Sequence, residues 1–320
     1  MRETVPRAAV IIIGSNSTRM LTADLDDRLS NPVFGRRETR LFLALDKENR
    51  LPLAAIEAAC RDVASLFDLA REAGADRTFL MATSATRDSA NGKDLAYALL
   101  QATGLSLQVI SGEEEAAFSF WGAVHPYPGE EMAGVIDIGG GSAEIALGRP
   151  GEAPFVHSLQ LGASRLYAAQ PINSPADADK ALMIADRAAR EGVRDMTHQT
   201  LVQSSRLWAD PARWLLVGGT GTALISLMQG ALFHRGQQDA AFTRGDVMAM
   251  LLKLAGLSPE ARAALPGMTP GREHILPTGL AALAALMDAL NLNRMAVTAR
   301  NNTDGVLWRL ARYGSLRFDK

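Results

Sequence analysis

Residues 134–147 read Gly-Val-Ile-Asp-Ile-Gly-Gly-Gly-Ser-Ala-Glu-Ile-Ala-Leu, which is an apolar run, a turn of three glycines and a second apolar run. Apolar runs on both sides of a tight glycine turn are typical of two buried strands joined in a hairpin. Residues 8–17 read Ala-Ala-Val-Ile-Ile-Ile-Gly-Ser-Asn-Ser and open an earlier hairpin in the same way. This self-similarity predicts a fold that is duplicated within the chain, with two hairpins that face each other.

The segments around the first hairpin predict the order β-β-β-α-β-α-β. Apolar residues three or four positions apart indicate a helix over 53–73, which Gly74 would end, and a second helix over 93–103 before Gly104. The predicted strands are 8–13, 20–25, 33–42, 78–82 and 105–110.

A second series of the same kind starts at the glycine turn. After it, Ser174-Pro175 offers an N-cap and a first-turn proline for a long helix toward Leu207, and a further helix should begin after Gly221. The apolar segment 280–290 indicates a buried helix. The predicted strands of this half are 134–137, the segment ending at Leu147, 155–161 and 214–217. Both halves therefore predict an α/β fold.

Bulk properties exclude several classes of protein. The 320 residues, 48% of them hydrophobic, suffice for two cores. A net charge of −2 without a basic run gives no sign of a nucleic-acid partner. The single cysteine, Cys60, excludes a disulfide framework, and the five histidines have no metal-ligand spacing. No apolar run approaches the ~18 residues that span a bilayer, and no signal-peptide cleavage site follows the N-terminal apolar segment. We therefore expect a cytoplasmic protein without a membrane partner.

The hairpin turns are candidate anion sites. Small residues let backbone N–H groups converge on a phosphate, although an ordinary tight hairpin is an equal alternative for the glycine triplet alone. The segment 218–222, Gly-Gly-Thr-Gly-Thr, offers a third site between a strand and a helix. Neither a Walker A motif nor G-x-G-x-x-G is present, which argues against P-loop and dinucleotide folds. The candidate phosphate-binding residues are Gly14, Ser15, Asn16, Ser17, Gly139, Gly140, Gly141, Ser142, Gly219 and Thr220.

Five motifs in order resemble those of the Ppx/GppA family of exopolyphosphatases and guanosine pentaphosphate phosphatases. They are 82–88 (Ala-Thr-Ser-Ala-Thr-Arg-Asp) with Asn91, 110–116 (Ile-Ser-Gly-Glu-Glu-Glu-Ala), 135–144 in the glycine hairpin, 158–163 (Ser-Leu-Gln-Leu-Gly-Ala), and 265–267 (Leu-Pro-Gly) with Arg272. The resemblance covers nearly the whole chain. It implies two RNase H-like domains of the actin-like ATPase and sugar-kinase superfold, with the active site in an interdomain cleft. The implied domains are 1–126, with 303–320 packing back onto it, and 127–302.

The resemblance also assigns roles. Glu115 matches the catalytic glutamate that deprotonates the attacking water, and it is favoured over Glu114. Three glutamates that open a helix are otherwise ordinary solvated first-turn acids. Arg87 matches a phosphate-contacting arginine, with a helix cap or an interdomain salt bridge as the alternative. Arg272 is a weaker phosphate candidate, and Asn91 is expected to cap the next helix.

Two further acids are candidate metal ligands. Asp137 ends a buried strand, which is an unfavourable place for a carboxylate unless it is paired or binds a metal. The resemblance implies that it holds Mg²⁺ or another divalent cation, and that Glu144 helps to position the metal or the water. The alternative for Glu144 is an exposed position on a half-buried strand.

The chain departs from the family pattern at three positions. Ile12 stands where the internal repeat has Asp137 and where the family has an aspartate, and isoleucine cannot ligate a cation. Phe42 replaces a motif glycine and Thr303 replaces a motif arginine. We therefore expect altered metal dependence or low activity.

Three functions follow from these motifs. The leading hypothesis is hydrolysis of the terminal phosphoanhydride bond of polyphosphate or guanosine pentaphosphate. The first alternative is a phosphate- or nucleotide-binding regulatory protein with impaired catalysis. The second is a kinase of the same superfold, which is less favoured because Ser111 to Ala116 resembles the phosphatase motif. A homodimer is implied by the resemblance only.

Overall fold

The computed structural model describes residues 5–127, 129, 131–203 and 211–316, of which 199–203 are described by backbone alone. These residues separate into two compact units. The residues up to Tyr127 and those from Asn302 onward form the first unit, and those in between form the second. Within the described residues, no helix is long and apolar enough to cross a membrane.

The elements follow each other in two series. The first comprises β1 (Arg7–Ile13), β2 (Thr18–Asp24), β3 (Val33–Arg37), α1 (Leu41–Ala44), α2 (Leu53–Glu72), β4 (Arg77–Ala82), α3 (Ser84–Arg87), α4 (Gly92–Thr103), β5 (Leu107–Val109) and α5 (Gly112–Val124). The second comprises β6 (Ala133–Ile138), β7 (Ala143–Gly148), β8 (Phe155–Leu159), α6 (Ala163–Ala169), α7 (Pro175–Gln203), β9 (Arg213–Val217), α8 (Gly219–Gln229), β10 (Ala240–Thr243), α9 (Arg244–Ala255), α10 (Pro259–Ala263), α11 (Leu276–Ala289) and β11 (Arg294–Val297). The last helix, α12 (Asn302–Tyr313), belongs to the first unit.

The first unit is built around β1. Its sheet has the order β3-β2-β1-β4-β5, in which β1 is antiparallel to β2 and parallel to β4. All residues of β1 from Ala8 to Ile13 are buried. Residues such as Ile11 pack with the apolar stripe of α2, and β1 also contacts the C-terminal helix α12. A strand that is covered on both faces needs a continuous apolar run, which is what the sequence provides.

The second unit repeats this plan around β6. Its sheet has the order β10-β11-β9-β6-β7-β8, with β6 antiparallel to β7 and parallel to β9. Helix α11 is buried from Leu276 to Met287 and contacts α6, α7 and α9. The predicted buried helix over 280–290 is therefore confirmed, and both units have the predicted α/β class.

Some predicted boundaries were wrong. The strand expected over 33–42 ends at Arg37, and a short helix begins at Leu41. The chain turns because Arg40 takes a left-handed conformation with φ of 49°, which a strand cannot contain. Helix α8 begins at Gly219 and not after Gly221. The predicted helix toward Leu207 is described to Gln203, and its last residues lie outside the described residues.

Candidate active site

The two hairpin turns have the same hydrogen bond. The amide of Gly14 donates to the carbonyl of Ser17 at 3.1 Å, and the amide of Gly139 donates to the carbonyl of Ser142 at 3.0 Å. A Cβ placed on Gly14 would lie 2.9 Å from the Ser17 oxygen, and one on Gly139 would lie 3.2 Å from the Ser142 oxygen. The internal repeat of the sequence is therefore a repeat of backbone conformation.

The first turn of α6 donates hydrogen bonds to the carbonyl groups of the glycine loop 139–142. Because the peptides are trans, each carbonyl that points toward α6 turns the next N–H away from that helix. The amides of Gly140, Gly141 and Ser142 therefore point away from α6, which leaves them available for an anion. The hydrogen bonds run from Ala163 N to Gly139 O (3.0 Å), from Ser164 N and Arg165 N to Gly140 O (2.8 and 2.9 Å), and from Arg165 Nε to Gly141 O (2.6 Å).

Gly162 makes this support possible. A Cβ on Gly162 would collide with the carbonyl group of Gly140. From the sequence, Gly162 was predicted only as part of a motif, and Arg165 was not predicted. The signal that could have found them is the repeat itself, because a short helix follows three strands in each unit.

The short helix α1 supports the first turn in the same manner. The amide of Phe42 donates to Ser15 O at 2.9 Å, and the amide of Arg40 donates to Asn16 O at 2.8 Å. The amides of Asn16 and Ser17 are therefore turned away from α1. Since Phe42 contributes its backbone N–H to this contact, the contact is independent of its side chain.

The catalytic candidates of the first unit lie close to that turn. The Ser15 hydroxyl is 2.8 Å from the hydroxyl of Ser84 in α3, the helix that also carries Arg87. Nη1 of Arg87 lies 3.5 Å from Oε2 of Glu115 and donates to Ile110 O at 2.9 Å. The salt bridge considered for Arg87 is thus formed within its own unit, with the proposed general base as partner.

The three glutamates at the start of α5 have different environments. Glu114 forms a capping box with Ser111, since its carboxylate accepts the Ser111 amide at 2.8 Å and its amide donates to the Ser111 hydroxyl at 3.1 Å. Glu113 is exposed. Glu115 is only 6% exposed. Helical spacing thus turns one acid of the run inward, and the reading of all three as solvated acids is wrong for Glu115.

The acids of the second unit lie opposite each other across the hairpin. Asp137 on β6 pairs with Glu144 on β7, and they are 5% and 1% exposed. The exposed alternative for Glu144 is therefore wrong. Oε1 of Glu144 accepts a hydrogen bond from the Ser158 hydroxyl at 2.9 Å. Like charges opposite each other in a sheet are unfavourable, and buried carboxylates are usually stabilised by a cation or by hydrogen-bond donors.

This donor set fits a hard divalent cation. Mg²⁺ typically binds one or two carboxylates and completes its shell with water and substrate phosphates. No group of three or more histidine, cysteine or acidic residues that could hold a metal occurs among the described residues. Asp137 and Glu144 are the two carboxylates that would hold such an ion.

The third candidate loop lies against the acid pair. Gly218 has φ of 91°, and a Cβ on it would be 2.7 Å from Oδ1 of Asp137. A Cβ on Gly219 would collide with the guanidinium of Arg272, which is 4% exposed. Arg272, which the sequence indicated only as a weaker phosphate candidate, thus packs directly on the third candidate loop. The hydroxyl of Thr220 lies against Gly279 of α11, so its side chain faces the interior.

The strand register shows which residues of the first hairpin stand at the positions of the acid pair. Ile12 pairs with Arg19 in the first hairpin, at the positions that Asp137 and Glu144 occupy in the second. Ile12 is 3% exposed and belongs to the core. The acid pair is therefore present in the second unit alone.

Asn91 is the N-cap residue of α4, but its side chain makes no capping hydrogen bond. Its Oδ1 accepts the Leu51 amide at 2.7 Å, and its Nδ2 donates to the Leu51 carbonyl at 3.1 Å. The predicted cap position is therefore right, but the side chain binds the backbone of another segment. Asn16, in the first turn, donates from Nδ2 to Oε2 of Glu38 at 3.0 Å.

Two units that each carry a small-residue hairpin turn after their central strand define a protein of the two-domain α/β class. The model of the Ppx/GppA phosphatase family matches residues 28–313. The chain belongs to this family. A guanosine-5'-triphosphate,3'-diphosphate pyrophosphatase of Vibrio cholerae is 27% identical in an alignment of 318 positions, which covers 95% of this chain and 59% of that protein. The chain thus spans well under two thirds of this curated relative.

Solved structures share the fold. An exopolyphosphatase from Cytophaga hutchinsonii superposes with a TM-score of 0.82 at 18% identity, with 97% of this chain and 99% of that chain covered. A Ppx/GppA family member from Aquifex aeolicus gives 0.75 at 19% identity, with 97% and 98% covered. The predicted fold class is therefore confirmed.

Proposed function

We propose that this protein hydrolyses the terminal phosphoanhydride bond of inorganic polyphosphate or guanosine pentaphosphate. The observation that carries the proposal is a small-residue turn built twice, with backbone amides in each unit turned away from the short helix that supports it. The buried Glu115, which lies 3.5 Å from Arg87, adds a base. Family membership and the named relatives supply the substrate class.

The proposed reaction is an attack of water on the terminal phosphorus. Glu115 accepts the proton of the water, and the bond between phosphorus and the bridging oxygen breaks. Inorganic phosphate is released, and the remaining substrate is shorter by one phosphate. Arg87 holds the Glu115 carboxylate and offers its remaining N–H groups to phosphate oxygens. The amides of the turn 14–17 would bind phosphate oxygens, and so would those of the turn 139–142.

A divalent cation, which we propose to be Mg²⁺, would neutralise charge on the phosphates when bound. Asp137 and Glu144 would hold it, and the Gly218 turn packs closely enough on Asp137 to fix the direction of that carboxylate. Gly219 and Arg272 would add positive potential on the same side.

A substrate panel tests the proposal. Phosphate release is measured with Mg²⁺ for polyphosphate, guanosine pentaphosphate, pyrophosphate and ATP, with EDTA and Glu115→Gln as blanks. We expect phosphate release from polyphosphate, from guanosine pentaphosphate or from both. EDTA and Glu115→Gln should each abolish this release. No release above the blanks from any substrate would contradict it.

The arrangement of Ile12 and Arg19 favours a second candidate, a binding protein with impaired catalysis. In that case the first hairpin would bind phosphate with the charge of Arg19 and without a metal ligand. Calorimetry would then detect binding of the same substrates while phosphate release stayed at the level of the Glu115→Gln blank. Cytoplasmic location and a homodimer stay predictions.

A further inference from the structure

Arg262 is a buried cation with unusual partners. It lies in α10, is 1% exposed, and is the largest fully buried side chain of the described residues. Burial lowers the pKa of its guanidinium. In the part of the chain that the structure describes, no carboxylate forms an ion pair with it. Arginine is rarely buried without such a pair, so the three carbonyl groups that it binds must hold it.

The three carbonyl groups belong to three separate segments. Nε donates to Leu254 O in the last turn of α9 at 2.8 Å, and Nη2 donates to Ile172 O at 2.7 Å. Nη1 lies 3.3 Å from Glu273 O. A guanidinium is a planar fork with fixed donor directions, so these bonds set the segments relative to each other.

Two of these segments lead to the candidate site. Glu273 follows Arg272, whose guanidinium packs on Gly219, and the Arg272 carbonyl accepts the amide of Leu276 at the start of α11 at 2.8 Å. Ile172 lies three residues after the end of α6, the helix that holds the glycine loop 139–142. One side chain thus connects both anion-binding elements of the second unit.

We propose that Arg262 is a positioning residue that keeps Arg272 against the Gly219 turn. Its effect on the reaction passes through Arg272, and it does not touch the substrate. This inference rests on the proposed function. A purely structural role would instead lower stability and leave the folded enzyme fully active.

Kinetics of four variants separate the two roles. Arg262→Lys keeps the charge but loses the fork, and Arg262→Met removes both. Arg272→Met and the double variant Arg262→Met/Arg272→Met complete a cycle. The control is Arg244→Met, which removes the paired contacts of Arg244 with Asp288 at 2.9 and 2.7 Å without touching either loop.

We expect Arg262→Lys to fold, as judged by circular dichroism, and to lose about 10²-fold in kcat/KM, since misplacement of a binding group by ~1 Å can have that effect. The double variant should be no slower than Arg272→Met alone, and Arg244→Met should keep the native rate. A double variant slowed by the product of the single effects would overturn the proposal, as would an Arg262→Lys enzyme with native kcat/KM.

A ¹H–¹⁵N NMR spectrum recorded without substrate separates this proposal from the proposed function. The Nε–Hε signal of Arg272 is assigned by its loss in Arg272→Met. It should shift or broaden in Arg262→Lys and stay in place in Arg244→Met. An unmoved signal would overturn the positioning role. If the signal moves but no phosphate is released from any substrate, the positioning role stands and the proposed function fails.

Discussion

At the scale of single residues, neighbouring identical side chains differ in chemistry because their positions on the helix differ. Glu114 accepts the Ser111 amide and caps α5, whereas Glu115 is buried beside Arg87. The sequence could indicate that an acid run opens a helix. Which acid faces inward depended on where α5 begins, and the resemblance supplied that choice.

The first prediction compares these two glutamates. Glu115→Gln keeps the shape of the side chain but cannot accept a proton, so we expect kcat for phosphate release to fall by about 10²- to 10⁴-fold. Glu114→Gln should keep native kcat and lose no more than about 1 kcal/mol of unfolding free energy, the typical value of a helix cap. Equal losses of kcat in both variants would contradict the assignment.

The second prediction concerns Ile12. Ile12→Asp places a carboxylate opposite Arg19, at the position that corresponds to Asp137. If the missing acid limits the metal site, the variant should release phosphate faster than the native chain and reach half-maximal rate at lower Mg²⁺. Steady-state phosphate release over a Mg²⁺ titration measures both quantities. An unchanged or lower rate in a folded variant would refute the hypothesis.

At the scale of elements, the hairpin turns depend on the short helices that bind their carbonyl groups. The buried strands and α2 were predictable because their apolar patterns are strong and local. Helices α1 and α6 were not predicted, because each is only a turn or two long and its contacts with a hairpin are distant in sequence. The contacts of Arg262 were not predicted either, because its partner Ile172 is distant in sequence.

Gly162 provides the third prediction. Gly162→Ala should push α6 away from the Gly140 carbonyl and disturb the outward amides of the glycine loop, which should raise KM for the phosphate substrate. Gly245→Ala in α9 is the matched control, because its nearest neighbour would be the Thr243 hydroxyl at an ordinary 3.5 Å. Equal KM values in both variants would show that the loop does not depend on this contact.

At the scale of the whole molecule, the end of the chain completes the first unit. Helix α12 contacts α5, β1 and β2, and buries Val306, Leu307 and Leu310. The helices α5 and α12 approach closely at Gly305, where a Cβ would collide with the Phe118 carbonyl. The family motif around Thr303 indicated that this segment returns to the first domain, but the close packing depends on Gly305.

The fourth prediction tests that packing. Gly305→Ala should lower the unfolding free energy by about 1–3 kcal/mol, as overpacking of a tight contact typically does. Arg312→Ala on the exposed side of the same helix should leave it nearly unchanged. Urea unfolding followed by circular dichroism measures both. A Gly305→Ala protein as stable as Arg312→Ala would show that the two helices can separate without cost.

Hydrolysis of the phosphoanhydride bond, as proposed above, requires both Glu115 and Asp137. The most direct measurement is kcat for phosphate release by Glu115→Gln, Asp137→Asn and the double variant with saturating Mg²⁺. Residues that act as a unit are strongly non-additive, so the double variant should be no slower than the slower single variant. A double variant slowed by the full product of the two single effects, or single variants with native rates, would contradict the claim.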